Sequence, residues 1–238
     1  MNRNTEVLVL IPSFNDTELL KELTAAVIAL PGRFVPLVVD DGSLTEILHA
    51  DVAAGTLLVR CPVNTGLGTA THIAFDHAAK YGYGFVARLD SDGQHPVDSI
   101  PDIVRPLQTA EADMVVGHRL NRDDRRGARA LLAKSIRWYL TLISKLVSGG
   151  HTPEDMNSGC FAVTADAAAK LNRLYLDRYP EPKIFLSANP FGIRIIECGI
   201  NQNDREFGRT TVNIFQAVIM LYRFHMLLLA RLLQKKPL

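Results

Sequence analysis

Short apolar runs alternate with helix-like segments through the first half of this chain. Five runs read as buried strands: Val7–Ile11, Val35–Val39, Thr56–Arg60, Phe85–Leu89 and Met114–Val116. Between the first two runs, Leu20, Leu23 and Val27 recur at helical spacing. Strands that alternate with helices at this pitch predict a mostly parallel central sheet with helices on both faces. We therefore expect an α/β fold.

Composition narrows the class of protein further. The chain has 238 residues, of which 47% are hydrophobic and 21% are charged, and this predicts one sizeable core in preference to two domains. The net charge of +1 creates no overall positive potential that would attract nucleic acid, so no nucleic-acid partner is expected. Three cysteines at unrelated spacings form no metal pattern, and the polar start lacks a secretory signal. A cytoplasmic location is therefore expected.

Asp90 and Asp92 directly follow the run Phe85–Leu89. A buried parallel strand delivers its last residues to the carboxyl edge of the sheet, where open α/β folds bind their ligands. Carboxylates held there on a turn suit a hard divalent cation that is shared with substrate phosphates. Alone, this sequence could also be a polar turn without a ligand.

Four motifs lie at consecutive strand ends, and together they favour a ligand-binding site over a polar turn without a ligand. They are Ile11–Asp16, Val38–Ser43, Asn64–Gly68 and Leu89–Pro96. In this order and spacing they resemble the family 2 glycosyltransferases of the GT-A (nucleotide-diphospho-sugar transferase) fold. Among these, the dolichol- and polyprenol-phosphate sugar synthases and their bacterial homologues are the most similar. The resemblance covers about residues 6 to 211.

The resemblance implies a donor site that contains Mg²⁺ or Mn²⁺. It assigns the metal to Asp90, Asp92 and Gln94. It assigns the nucleotide-diphosphate sugar, linked to UDP or GDP, to Pro12, Phe14, Asp16, Asp40, Asp41, Gly68, Asp90, Ser91, Asp92, Arg119 and Arg137. Asp40 could instead orient its turn. Gly66 and Gly68 could favour an anion at a helix start, or could only allow the helix to pack tightly on the sheet.

The acceptor side has three candidate catalytic residues by resemblance: Asp155, Glu181 and Arg205. If the acceptor is a hydroxyl, a base must take its proton, and Asp155 is the first candidate with Glu181 second. If the acceptor is a lipid phosphate, it is already an anion and needs no base. The sequence leaves both alternatives open.

We expect one GT-A catalytic domain over residues 1–211, with a nucleotide-sugar half (1–120) and an acceptor half (121–211). The cations between Arg122 and Arg137 predict either a solvated helix face or a mobile basic loop that closes over phosphates or touches anionic lipid head groups. Residues 212–238 form a mostly apolar segment with cationic breaks. This segment predicts a C-terminal helix that lies on the membrane surface, forms a homodimer or packs against the core of its own chain.

The predicted activity is inverting, metal-dependent transfer of a sugar to polyprenyl phosphate or to a cell-envelope glycan intermediate. Two alternatives stay open at this point. The chain could be a catalytically silent nucleotide-sugar-binding partner of a membrane assembly, or a nucleotidyltransferase. The second needs a glycine-rich basic segment after the first strand, which Pro12–Asp16 does not supply.

Overall fold

A seven-stranded sheet lies at the centre of the computed structural model, which describes residues 4–119, 135, 138–146, 152–201, 222, 224–226 and 228–229. The strands are β1 (Val7–Ser13), β2 (Phe34–Asp40), β3 (Leu57–Arg60), β4 (Phe85–Arg88), β5 (Met114–Arg119), β6 (Phe161–Thr164) and β7 (Ile195–Ile200). Their order is β3-β2-β1-β4-β6-β5-β7. Among the strand pairings of the described residues, only those of β6 with β4 and with β5 are antiparallel. This confirms the predicted mostly parallel α/β sheet.

Helices cover both faces of the sheet. They are α1 (Leu20–Ala29), α2 (Leu67–Tyr81), α3 (Ile100–Gln108), α4 (Ala165–Leu171) and α5 (Glu181–Ala188). Residues 138–146 are also helical. Successive β1 side chains point to opposite faces. Accordingly, Leu8 packs in the cluster that contains Phe75 of α2, and Val9 packs in the cluster that contains Val27 of α1.

The first strand is longer than its sequence predicts. The predicted run Val7–Ile11 stops before Pro12, which lacks an N–H group, yet β1 continues to Ser13. The pairing of β1 with β4 reaches only Leu10 and Arg88, whereas its pairing with β2 continues to Ser13 and Asp40. Pro12 therefore lies where β1 has a neighbour on one side only, and a proline is tolerated there.

The topology brings the ends of three parallel strands together. β1 lies between β2 and β4, so the chain order reverses beside β1 and leaves a crevice at the carboxyl ends of these strands. Because β6 runs antiparallel to β4, the start of β6 at Phe161 lies beside the end of β4 at Arg88. The segment before β6 thus reaches the same edge of the sheet.

Little of the predicted C-terminal helix can be compared with the structure. Residues 222, 224–226 and 228–229 are helical, and the rest of 212–238 lies outside the described residues. Within the described part of the chain, no helix has both the length and the hydropathy needed to cross a bilayer. The division into 1–211 and 212–238 stays a prediction.

Candidate active site

Asp40 at the end of β2 holds the following turn in place. Its carboxylate is fully buried and accepts hydrogen bonds from the Ser43 N–H (2.8 Å) and from Arg60 Nη1 (2.7 Å). Burial alone would raise the pKa of Asp40. The hydrogen bonds from Ser43 and Ile47 and the charge of Arg60 outweigh this effect and hold the pKa below its usual range. These contacts correspond to the turn-orienting alternative for Asp40.

Asp41 joins the second motif to the third. Its Oδ1 accepts hydrogen bonds from the Thr65 N–H (2.8 Å) and hydroxyl (2.7 Å), and its Oδ2 accepts one from the Gly66 N–H (2.7 Å). Gly42 makes this close approach possible, because it adopts φ +75° and a Cβ there would lie 2.5 Å from the Val63 carbonyl carbon. Asp41 therefore fixes the loop that starts α2. Its contact with the nucleotide stays a prediction.

Gly66 and Gly68 pack against protein rather than facing an open anion site. A Cβ at Gly68 would lie 2.2 Å from the Asp177 carbonyl oxygen, and one at Gly66 would lie 2.8 Å from the Arg178 Cα. Close packing of α2 against residues 176–178 thus accounts for both glycines. The alternative predicted from the sequence is close packing on the sheet, whereas the structure shows the close packing against residues 176–178. The nucleotide contact of Gly68 stays a prediction.

The first motif contacts both of its neighbours at the carboxyl edge. The Asn15 N–H donates to Ser43 Oγ (2.9 Å), which connects the end of β1 to the turn after β2. On the other side, Ser91 Oγ donates to Asp16 Oδ2 (3.2 Å), which connects β1 to the acidic turn after β4. Phe14 directly precedes Asn15 and is 46% exposed, whereas Pro12 is buried in β1. The three strand ends therefore form one site.

The acidic turn presents oxygen ligands at this edge. Asp90 and Asp92 are partly exposed, and Asp92 Oδ1 accepts a hydrogen bond from the Gln94 N–H (3.1 Å). Among the described residues, no three His, Cys, Asp or Glu side chains cluster as a metal site. Two carboxylates and an amide still fit Mg²⁺ or Mn²⁺, because such a cation commonly binds one or two carboxylates and takes its other ligands from water and substrate phosphates.

Gly159 leaves the space that the Asp90 carboxylate occupies. A Cβ at position 159 would lie 2.0 Å from Asp90 Oδ2, so any other residue would displace this carboxylate. The Ser158 hydroxyl holds the neighbouring backbone by donating to the Gly117 carbonyl oxygen (2.6 Å). The segment that contains Asp155 is thereby anchored beside the acidic turn. Asp155 itself is partly exposed, and its Oδ1 accepts a hydrogen bond from the Asn157 N–H (3.2 Å).

Arg88 is a site residue that the motif comparison missed. Its side chain is 2% exposed and donates to Asp90 Oδ1 (2.9 Å) and to Glu181 Oε1 (2.5 Å). Burial alone would lower the pKa of Arg88, but the charges of Glu181 and Asp90 outweigh burial and raise it above its usual range. The available sequence signal was a charged residue inside an apolar strand, since such residues are rarely buried unless paired.

Glu181 begins α5 and faces the sheet rather than solvent. Its side chain is 8% exposed and pairs with Arg88. Burial raises the pKa of Glu181, and the charge of Arg88 opposes this rise. The remaining predicted site residues cannot be placed: Arg137 and Arg205 lie outside the described residues, as does the side chain of Arg119.

Comparison with known proteins gives the family of this chain. The model of the family "Glycosyl transferase family 2" matches residues 8–170. An undecaprenyl-phosphate mannosyltransferase of Micrococcus luteus is 27% identical over 233 residues, which are 92% of this chain and 93% of that protein. A UDP-N-acetylglucosamine–dolichyl-phosphate N-acetylglucosaminyltransferase of Methanococcus voltae is 27% identical over 174 residues, which are 71% of this chain and 68% of that protein.

Solved structures share the fold. Glucosyl-3-phosphoglycerate synthase from Mycobacterium tuberculosis, in complex with Mn²⁺, UDP and glucosyl-3-phosphoglycerate, matches with a TM-score of 0.70 at 19% identity. The match covers 95% of this chain and 80% of that one. The family match over more than half of the sequence shows that the chain belongs to glycosyl transferase family 2 and is a glycosyltransferase.

Proposed function

We propose that this enzyme moves a sugar from a UDP- or GDP-linked donor to a polyprenyl phosphate, with inversion and with the help of a divalent cation. The observation that carries the proposal is the convergence of three strand ends. Contacts from Asn15 to Ser43 and from Ser91 to Asp16 join the ends of β1, β2 and β4 around one crevice. Such a crevice is where open α/β sheets bind nucleotides.

The donor side requires neutralisation of a diphosphate. Asp90, Asp92 and Gln94 would hold the cation, which when bound would act as a Lewis acid toward the leaving diphosphate. Phe14 offers an exposed aromatic face for the nucleoside, and Asp16 lies beside the acidic turn through its contact with Ser91. Inversion follows if the acceptor oxygen attacks from the side opposite the diphosphate.

The pairing of Glu181 with Arg88 favours a phosphate acceptor. A general base needs a lone pair directed at the acceptor proton, but Glu181 is buried and directs its Oε1 to Arg88 at 2.5 Å. A lipid phosphate is already an anion and needs no base. The two relatives described above are named for undecaprenyl phosphate and dolichyl phosphate acceptors, which supports the same class. Asp155 stays the candidate base if the acceptor is a hydroxyl.

A transfer assay tests this function. The enzyme is incubated with Mn²⁺, one of several radiolabelled UDP- or GDP-sugars, and either a polyprenyl phosphate or the matching polyprenol. We expect label in the lipid fraction for the phosphate and at least about a hundredfold less for the alcohol, since the phosphate is already an anion whereas the alcohol must lose a proton during transfer. Addition of EDTA is expected to abolish transfer. Equal transfer to both acceptors would contradict a base-free reaction at a phosphate.

An exposed apolar surface lies next to the segment that contains Asp155. On residues 138–146, Trp138, Leu142 and Leu146 share one helical face and are 65%, 39% and 70% exposed. Tyr139 packs on His225, with their rings 5.6 Å apart, which places this helix beside the described C-terminal residues. The Thr141 hydroxyl donates to the Glu154 carbonyl oxygen (2.8 Å), next to Asp155.

This apolar surface is extended by the C-terminal helix. Tyr222, Met226 and Leu229 are also exposed at helical spacing, whereas Phe224 and Leu228 are buried in the core. A polyprenyl acceptor stays in the bilayer while its phosphate must reach the sheet edge. We therefore propose that the enzyme binds the membrane surface peripherally through these two helices, with bilayer lipid as the occupant of the apolar surface.

Vesicle flotation measures this interaction. The double substitution Trp138→Ser/Leu146→Ser is expected to lower partitioning onto phosphatidylglycerol-containing vesicles at least about tenfold, because two large apolar side chains no longer enter the bilayer. The control is Tyr81→Ser, an exposed aromatic at the end of α2, away from the carboxyl edge. Unchanged flotation together with a smaller oligomer in solution would assign the surface to a second copy of the chain and contradict the membrane contact.

A further inference from the structure

The Arg88 guanidinium separates two carboxylates that belong to different parts of the site. Asp90, at 2.9 Å, is in the proposed cation-binding turn, and Glu181, at 2.5 Å, begins a helix 91 residues later in the chain. Both Arg88 and Glu181 are almost completely buried, whereas the Asp90 side chain is 33% exposed. Asp90 is therefore the member of this group that a ligand can reach.

The two carboxylates of Asp90 and Glu181 compete for the single positive charge of Arg88. Arg88 carries one positive charge that faces two negative ones, and the nearby ring of His95 lies 3.8 Å from Asp90 Oδ2. Without Glu181, the charge of Arg88 would be directed to Asp90 alone and would oppose the approach of a cation. With Glu181 in place, most of that charge is already neutralised inside the protein, so Asp90 keeps its attraction for a cation.

We propose that Glu181 is a positioning residue that acts through Arg88: it neutralises the buried guanidinium and so preserves the cation affinity of Asp90. This rests on the proposed metal-dependent function. The same contact places the start of α5 at the carboxyl edge. The start of α5 and the cation-binding turn therefore both contact the buried Arg88 guanidinium. Glu181 thus contributes to donor binding without touching the donor or the metal.

A titration of Mn²⁺ in the presence of saturating UDP tests the proposal without any measurement of activity. The substitution Glu181→Gln keeps the shape and an acceptor oxygen but removes the charge, and we expect the Kd for Mn²⁺ to rise about tenfold. The double substitution Arg88→Met/Glu181→Met removes both charges, so its Kd is expected to return to within about threefold of the wild-type value, or lower. Isothermal titration calorimetry or Mn²⁺ electron paramagnetic resonance gives these constants.

Asp113→Asn is the matched control, because Asp113 precedes β5 at the opposite edge of the sheet and pairs there with Arg194. A Kd for Glu181→Gln within twofold of wild type overturns the proposal. A double variant that binds Mn²⁺ at least tenfold more weakly than wild type also overturns it, and this arm decides the test if Glu181→Gln does not fold. If wild-type protein itself shows no Mn²⁺-dependent UDP binding, the proposed function fails first.

Discussion

Replacement of Asp92 by asparagine is expected to lower sugar transfer by about a thousandfold. The substitution keeps the size of the side chain and an oxygen that can accept the Gln94 N–H bond, but it removes a negative charge from the proposed cation site. Loss of one group that stabilises charge in a transition state typically costs a factor of about 10²–10³, and a metal ligand acts on the same developing charge. Initial rates at saturating donor and Mn²⁺ give the effect.

The fold of the Asp92→Asn variant is expected to be intact. Asp92 is partly exposed on a turn, and changes at such positions usually alter the free energy of unfolding by less than about 1 kcal/mol. Asp98→Asn is the control, since Asp98 is exposed in the same loop and has no assigned role. Full activity of Asp92→Asn would contradict the cation site. Nucleotide binding without transfer in the wild type would instead favour the silent-partner alternative.

The strands and the shared edge could be predicted because their signals are local. Buried parallel strands give continuous apolar runs, as in Val7–Ile11, and each run ends where polar turn residues such as Asp40–Ser43 begin. Once the strands alternate with helices, their carboxyl ends must lie at one edge of the sheet. The meeting of Asp16, Asp41 and the acidic turn at that edge therefore follows from the pattern.

Other parts of the site depend on contacts between distant segments, and no local pattern reports these. The close approach at Gly68 is to the backbone of Leu176 and Asp177, more than 100 residues later. β6 enters the sheet between β4 and β5, which brings Gly159 onto the Asp90 carboxylate. A sequence that shows only the glycine cannot distinguish room for a ligand from room for another part of the chain.

The contact of Arg88 with Glu181 is another one between distant segments that no local pattern reports. Replacement of Arg88 has the largest expected effect on the free energy of unfolding. Replacement of Arg88 by methionine leaves the buried Glu181 without a counter-charge, and the loss of one partner from a buried ion pair typically costs about 3–5 kcal/mol. The ring of Phe161 also lies 5.9 Å from the guanidinium carbon, so the substitution removes a cation–π contact as well. We expect urea denaturation to show this loss of unfolding free energy for Arg88→Met.

Two comparisons separate an unpaired buried charge from a general loss of contacts. The double variant Arg88→Met/Glu181→Met is expected to lose less than about 1 kcal/mol, because removal of both charges avoids the burial of an unpaired one. Arg194→Met breaks the pair with Asp113, but Arg194 is 57% exposed, so we expect a loss of about 1 kcal/mol or less. If the double variant were as unstable as Arg88→Met, packing of the arginine stem rather than charge would control stability here. The buried pair would then serve mainly to fill space between β4 and α5, and its charges would matter only for the affinity of the neighbouring Asp90.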